Sequence, residues 1–222
     1  MKTLHFYIDE AGRGPLAGPL SVGIIFPLQK LKKSDLDGFR DSKKLSESQR
    51  EVLFSQVLQM ERQDLLRQTV SYASVVEIDK YGMTNAQFLA IIRGISALLD
   101  NLSLDKNNLN MTLTIDGNRD FGLKKAYPDW TIETIIKGDD KIKEISMASI
   151  LAKVSRDNLM KALPAKYTKY GFTKHKGYGT KDHLDAITTF GPSNIHRKLF
   201  LKRLFPDHKI QKTLPKKLTK FL

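Results

Sequence analysis

The sequence predicts an α/β protein, a sheet of strands covered by helices, and three observations carry that prediction. Apolar runs of strand length alternate along the chain with segments whose apolar residues recur at helical spacing. Three of the strand-like runs end in acids, at Asp9-Glu10, at Asp116 and at Asp139. The first of these ends opens into Ala11-Gly12-Arg13-Gly14-Pro15-Leu16-Ala17-Gly18-Pro19, a loop too rich in glycine and proline to continue as helix.

Residues 4–8 and 20–26 read as strands on either side of that loop, and the second is apolar throughout, as a central strand covered on both faces would be. Asp41-Ser42-Lys43-Lys44-Leu45 follows, then Ser46 with Gln49, a capping box that opens a helix to about Met60. Residues 69–76 read as a strand and 85–99 as a helix, with Phe88, Ile91, Ile92, Ile95 and Leu98 on one face. Met111, Leu113 and Ile115 alternate with Thr112 and Thr114 in a strand that ends at Asp116-Gly117. Residues 132–136 make another strand, ending at Lys137-Gly138-Asp139. Residues 141–160 read as one helix, and the remainder as short helices.

A chain of 222 residues bounds one core with an extension. The expected organisation is a single domain over residues 1–205, divided into a core (1–160) and a basic helical extension (161–205), with a basic tail at 206–222. The absence of cysteine excludes disulfides and thiolate metal sites. No apolar run approaches the ~20 residues of a membrane span, and the N-terminus lacks a signal-peptide layout, so a cytoplasmic protein without membrane contact is expected. The net charge of +13 is uneven: residues 1–160 hold 22 Lys and Arg against 21 Asp and Glu, residues 161–222 hold 15 against 3. A nearly neutral body with a basic C-terminal quarter reads as a catalytic core joined to a polyanion-binding surface. Tyr167, Tyr170, Phe172, Tyr178, Phe190 and Phe200 are interleaved with the basic residues, which a plain solubilising tail would not need.

Sites in an open α/β sheet form at the carboxyl ends of strands, so Asp9, Glu10, Asp116 and Asp139 converge if their strands are parallel neighbours. Asp-Gly and Gly-Asp pairs are common in turns; it is the shared strand-end position that sets these acids apart. Four carboxylates round one cleft repel unless cations neutralise them, and two divalent ions ~3.5–4 Å apart are the usual solution in phosphodiester chemistry. Hard oxygen ligands suit Mg2+ or Mn2+ better than zinc. The glycines of Gly12-Arg13-Gly14 permit close backbone approach to a phosphate or sugar, and the arginine offers a forked donor. Ser42, Lys43, Lys44, Lys137 and Lys141 are further candidate phosphate contacts. Tyr178, between Gly177 and Gly179, is poorly placed for a core and well placed to stack on a sugar or base. Asp140 reads as a solvent-facing acid in a first helical turn, and Asp157 as a structural acid paired to a nearby base.

These segments resemble ribonuclease HII, the bacterial type-2 ribonuclease H family. The matching pieces are Asp9-Glu10-Ala11-Gly12-Arg13-Gly14, Asp41-Ser42-Lys43-Lys44-Leu45, Ile115-Asp116-Gly117, Lys137-Gly138-Asp139, Ala148-Ser149-Ile150-Leu151-Ala152-Lys153-Val154 with Arg156-Asp157, His175-Lys176-Gly177-Tyr178-Gly179-Thr180, and Gly191-Pro192-Ser193 with Ile195-His196-Arg197. They run in family order over roughly residues 5–205; Met147 departs from the small residues usual before Ala148. The resemblance implies a ribonuclease H-like fold with a mixed central sheet flanked by helices and a helical C-terminal extension. It implies endonucleolytic cleavage of RNA in RNA–DNA hybrids and 5′ of single ribonucleotides in duplex DNA, leaving 3′-hydroxyl and 5′-phosphate ends. The roles implied are ribonucleotide removal from DNA and RNA primer removal, by a monomer. It assigns the four acids as catalytic metal ligands, with Asp9 bridging both ions, and Gly12, Arg13, Gly14 and Tyr178 as readers of the RNA-to-DNA junction. The ending Leu218-Thr219-Lys220-Phe221-Leu222 resembles a sliding-clamp-binding peptide. Ribonuclease HIII is disfavoured, because it carries an extra N-terminal domain and a different glycine loop. Two rivals are another nuclease or resolvase on the same fold, which would lack Gly-Arg-Gly and Tyr178, and a non-catalytic basic nucleic-acid binder, which would gain nothing from four carboxylates.

Overall fold

Side-chain alternation organises the molecule from its first strand. In the computed structural model, which describes residues 3–102, 110–163 and 165–202, β1 (Thr3–Ala11) and β2 (Leu20–Pro27) flank the glycine loop. Then come α1 (Glu47–Arg62), β3 (Leu66–Ala73), α2 (Val75–Tyr81), α3 (Met83–Asn101), β4 (Asn110–Asp116), α4 (Leu123–Ala126) and β5 (Thr131–Ile135). The chain continues through α5 (Gly138–Lys141), α6 (Lys143–Lys161), α7 (Phe172–His175) and α8 (Lys181–Phe190). The five strands lie in the order β3-β2-β1-β4-β5. β1, β4 and β5 are parallel; β2 and β3 run antiparallel to their neighbours. This is the mixed sheet expected.

Because side chains alternate across a strand, Leu4, Phe6 and Ile8 of β1 face one layer while His5, Tyr7 and Asp9 face the other. The first row joins Phe88, Ile91, Ile92 and Ile95 of α3 in one core. Ile25 of β2 packs on the opposite side against Val57 and Met60 of α1 and Met147, Ile150 and Leu151 of α6, with Tyr7 at its edge. Helices thus cover both faces, and β2 is buried along its length except at Pro27. A third cluster, Ala17, Met160, Tyr167, Tyr170 and Phe172, fastens the C-terminal extension to the glycine loop. Among the described residues no helix is long and apolar enough to cross a membrane.

Four expectations change in detail. The first strand runs on to Ala11, so Asp9 and Glu10 sit inside β1 and their side chains take opposite faces. The third strand stops at Ala73, because Ser74 and Glu77 form a reciprocal capping box that starts α2 and draws Val75 and Val76 into helix despite their β-branching. The helix expected over 141–160 is two: Ile142 is extended (φ −123, ψ 121), closes α5 with its N–H and opens α6 with its carbonyl. Finally, Tyr167, Tyr170 and Phe172 are core residues rather than a stacking surface; among the described residues Tyr178 and Phe190 are the exposed aromatics of the extension. The clamp-binding ending expected at 218–222 lies outside the described residues.

Contact between α6 and the sheet is set by Gly23. A Cβ there would stand 2.2 Å from the Ala148 carbonyl oxygen and 3.0 Å from the Ala152 nitrogen, both backbone atoms that cannot swing aside. Gly23 is also paired directly with Asp9. Gly23→Ala should therefore destabilise the fold by about 1–3 kcal/mol, as overpacking does, and lower activity by displacing Ser149 from Asp9. An unfolding midpoint equal to wild type in denaturant melts would rule this contact out as a determinant.

Candidate active site

Three structural elements bring the acids to one end of the sheet. Ile8 is in register with Ile115, so Asp9 and Asp116 follow at the ends of adjacent parallel strands, while Asp139 sits in the first turn of α5 just past β5. Each acid is held by a different neighbour. The Gly138 N–H donates to Asp116 Oδ1 at 2.6 Å. Gln87, buried in α3, donates through Nε2 to Glu10 Oε2 (2.9 Å) and accepts from Arg13 Nη1 (2.7 Å). On the other face Ser149 of α6 bonds Asp9 and is itself 2.9 Å from the Ser42 hydroxyl. Adjacent acids on one strand are thus gripped from opposite layers.

The acids strain against one another. Asp9 is 6% exposed, and burial first, then the charges of Glu10 and Asp116, hold its carboxyl well above the usual range; Ser149 and the Glu10 N–H only partly offset this. Burial also raises Glu10 against the pull of Arg13 and Gln87. Asp139 is raised by burial, then by Asp116 and Asp41, with Lys43 opposing. Among the described residues no three His, Cys, Asp or Glu side chains are gathered closely enough to cage an ion. Like charges keep apart until a cation draws them in, and this all-oxygen donor set fits a hard divalent ion. The site lies at the carboxyl end of the inner strands β1 and β4; a cavity of about 570 Å³ beside α1, lined by Phe39, Leu45, Val52 and Leu53 among others, holds none of the acids.

Beside the acids stands the glycine loop, built on two buried arginines. Arg156 of α6 donates to the carbonyls of Ala17, Pro19 and Lys176, and Arg197 to those of Gly12, Arg13, Pro15 and Gly18. They are 1% and 0% exposed. In a trans peptide C=O and N–H point oppositely, so turning the Gly12 and Arg13 carbonyls inward aims the N–H groups of Arg13 and Gly14 away from Arg197. Gly12 takes φ +93, and a Cβ there would overlap Arg156 Nε at 2.1 Å. Tyr178, 42% exposed, lies across from Gly14, whose added Cβ would stand 3.9 Å from the ring.

The remaining candidates divide. Lys43 is exposed, and its charge acts on Glu10 and Asp139. Ser42 is buried, with its hydroxyl 2.9 Å from that of Ser149. Lys141 is exposed at the end of α5. Lys44 is taken by Asp140 at 2.6 and 2.8 Å, and Lys153 Nζ pairs with the buried Asp157 at 2.9 Å. Sequence reasoning missed the roles of Gln87, Ser149, Arg156 and Arg197. The one available signal was a polar or basic residue on the buried face of an otherwise apolar helix, as with Gln87 beside Ala86 and Phe88.

Removing the Asp9 charge should stabilise the metal-free protein. A carboxyl whose folded pKa is raised loses folded-state stability as pH climbs from the unfolded value of 3.8 to the folded one, by about 1.4 kcal/mol per unit of rise. Asp9→Asn should therefore melt above wild type in chelator at pH 8, the gap closing as pH falls toward 4. A midpoint at pH 8 equal to or below wild type would remove the repulsion argument.

Comparison with known proteins agrees with this geometry. Residues 7–204 match the family model for ribonuclease HII. A ribonuclease HII from Fusobacterium nucleatum is 44% identical over 198 residues, which make up 89% of this chain and 85% of that protein. The crystal structure of ribonuclease H2 from Pyrococcus horikoshii OT3 superposes with a TM-score of 0.68 at 27% identity, covering 93% of this chain and all 100% of that one. A structure of the PCNA:ribonuclease HII complex from Archaeoglobus fulgidus shares the fold, with a TM-score of 0.61 at 22% identity over 95% of this chain and 98% of that one. The chain belongs to the ribonuclease HII family, nucleases that hydrolyse the RNA strand of RNA–DNA hybrids.

Proposed function

We propose that Asp9, Glu10, Asp116 and Asp139 hold two divalent ions, magnesium or manganese, and that Gly12, Arg13, Gly14 and Tyr178 select the ribonucleotide 5′ of which the strand is cut. The observation that carries this reading is the gathering of four carboxylates at one end of the sheet, where burial and neighbouring acids raise Asp9 and Asp139 and a bound cation would offset the repulsion. The chemistry that such ions supply is a water nucleophile at neutral pH and neutralisation of charge on the leaving oxygen. The chain's own part is orientation. Ser149 and Gln87 aim Asp9 and Glu10 from opposite layers, and the Gly138 N–H holds Asp116. Lys43 offers an exposed cation for the phosphate beside Glu10 and Asp139, and Lys141, exposed at the end of α5, a second. Residues 161–205 form the substrate grip of a single nuclease domain that works as a monomer, and the same chemistry serves RNA hybrids and single ribonucleotides in duplex DNA.

Selection of one ribose from DNA turns on the 2′-hydroxyl, both donor and acceptor. The backbone of Gly12, Arg13 and Gly14 reaches it because the loop carbonyls are drawn inward by Arg197. Tyr178 then stacks on the next sugar, where a second 2′-hydroxyl would crowd the ring.

Two measurements test the reading. Asp116→Asn should abolish cleavage with binding largely kept, and magnesium or manganese should raise the melting point of the wild type more than that of the variant, since an ion that binds only the folded state stabilises it. Near-normal activity of Asp116→Asn in magnesium would sink the acid assignment. For the junction, Tyr178→Phe should retain cleavage of a single-ribonucleotide duplex, while Tyr178→Ala should lose the ~1–3 kcal/mol of a stacking platform. If Tyr178→Ala cleaves at the wild-type rate with subsaturating substrate, Tyr178 does not read the junction.

A further inference from the structure

Behind Tyr178 lie two imidazoles that the chemistry described so far does not use. His183 and His196 are fully buried, and their Nε2 atoms are 3.0 Å apart. The groups at the outer ends of the pair determine where the protons sit. The backbone N–H of Ser193 lies 2.9 Å from His196 Nδ1 and can only donate, so that nitrogen accepts and the His196 proton is on Nε2. At the other end His183 Nδ1 is 2.8 Å from the Tyr178 carbonyl, which can only accept, so His183 carries its proton on Nδ1. The lone pair of His183 Nε2 then receives the Nε2–H of His196. Every donor in the chain meets an acceptor when both rings are neutral. Burial holds them so, with His183 shifted down and His196 brought to about 4.

We propose that His183 and His196 are positioning residues for Tyr178, a pair of fixed tautomers whose hydrogen-bond chain ends on the Tyr178 carbonyl and sets where the junction-reading ring stands. The inference rests on the reading of Tyr178 given above. The ring between two glycines is 42% exposed, with the Lys153 and Arg156 cations 5.9 Å from its centre, so its backbone is the main thing that places it. That backbone is held on both sides by imidazole. His175, stacked on His183 at 4.4 Å, accepts from the Gly177 N–H through Nδ1 and donates through Nε2 to the Tyr170 carbonyl. The His175 carbonyl accepts from the Tyr178 N–H at 2.9 Å. The same pair joins the tyrosine turn to the glycine loop: His196 bridges Ala17, and the Gly18 N–H donates to the Ile195 carbonyl at 2.8 Å. Apolar side chains would fill this volume without the desolvation that two buried imidazoles carry; what they would not supply is the second donor at the Tyr178 carbonyl, which the Thr180 N–H also reaches at 2.8 Å.

Two near-isosteres at position 183 separate the donor from the ring. An asparagine amide nitrogen lies near the place of Nδ1 and keeps the bond to the Tyr178 carbonyl; a glutamine amide lies near Nε2 and keeps the His196 contact alone. On a duplex with one embedded ribonucleotide, His183→Gln should lose about tenfold or more in kcat/KM, the worth of one buried hydrogen bond, with a much smaller loss on a uniform RNA–DNA hybrid. His183→Asn, which keeps that bond and gives up only the His196 contact, should lose markedly less than His183→Gln on the single-ribonucleotide duplex. Equal behaviour of the two variants overturns the inference. Tyr178→Ala run alongside separates the failures: its wild-type cleavage would remove the Tyr178 reading itself, whereas its loss combined with equal His183 variants removes only the pair. An imidazole nitrogen NMR spectrum of the wild-type protein at pH 7 needs no substitution. Nδ1–H at His183 with Nε2–H at His196 supports the chain, and the opposite tautomer at either overturns it.

Discussion

Two guanidiniums that bond no carboxylate among the described residues hold this molecule's working end together. Arg156 and Arg197 spend their donors on backbone carbonyls, six of them in the loop between β1 and β2 and one at Lys176. A buried charge left unpaired is among the costliest arrangements in a protein, yet here carbonyl dipoles stand in for the counter-ion. The strain shows in Arg197, where burial and the nearby Arg156 bring the pKa down to about 9. Only an irregular loop offers so many carbonyls to so small a volume, because the carbonyls of regular strands and helices are already bonded. The glycine loop and the arginines therefore require each other, and Gly12 is the place where the chain passes too close to Arg156 for any side chain.

From that arrangement follows the polarity of the site. Positive charge lies beneath the loop, and negative charge lies a few residues away at the end of β1. A phosphodiester backbone is attracted to the first and repelled by the second, which is why the proposed reading places cations at the acids. The cost is visible in the raised carboxyls of Asp9, Glu10 and Asp139. Asp9 and Glu10 stay where they are because the two helical layers, through Ser149 and Gln87, supply one donor each. The absence of a side chain at Gly23 lets α6 rest on the sheet at backbone distance, which brings Ser149 within reach of Asp9.

The C-terminal extension belongs to the same construction. Arg197 comes from it, as do the Gly177 carbonyl that accepts from Leu16 and the Ile195 carbonyl that accepts from Gly18. Its aromatic residues divide accordingly. Tyr167, Tyr170 and Phe172 turn inward to make a small core with Ala17 and Met160, while Tyr178 is left outside beside Gly14. A basic segment rich in aromatics is thus more a clamp on the glycine loop than a continuous stacking surface.

Much of this was legible in the chain by itself. Local chemistry determined the α/β class, the apolar central strand β2, the capping box at Ser46, Asp116 at the end of its strand and the glycine loop after Asp9, because periodicity, caps and turn residues act between neighbours in sequence. Tertiary structure alone decided the rest. The sheet register brought Asp9 beside Asp116, and strand alternation sent Asp9 and Glu10 to opposite layers. Ser42, read as a phosphate contact, became the buried partner of Ser149, and three of the aromatics read as a surface became core. Arg156 and Arg197 looked like two more charges in a basic chain; their work depends on carbonyls up to 185 positions away in sequence, which no local pattern records.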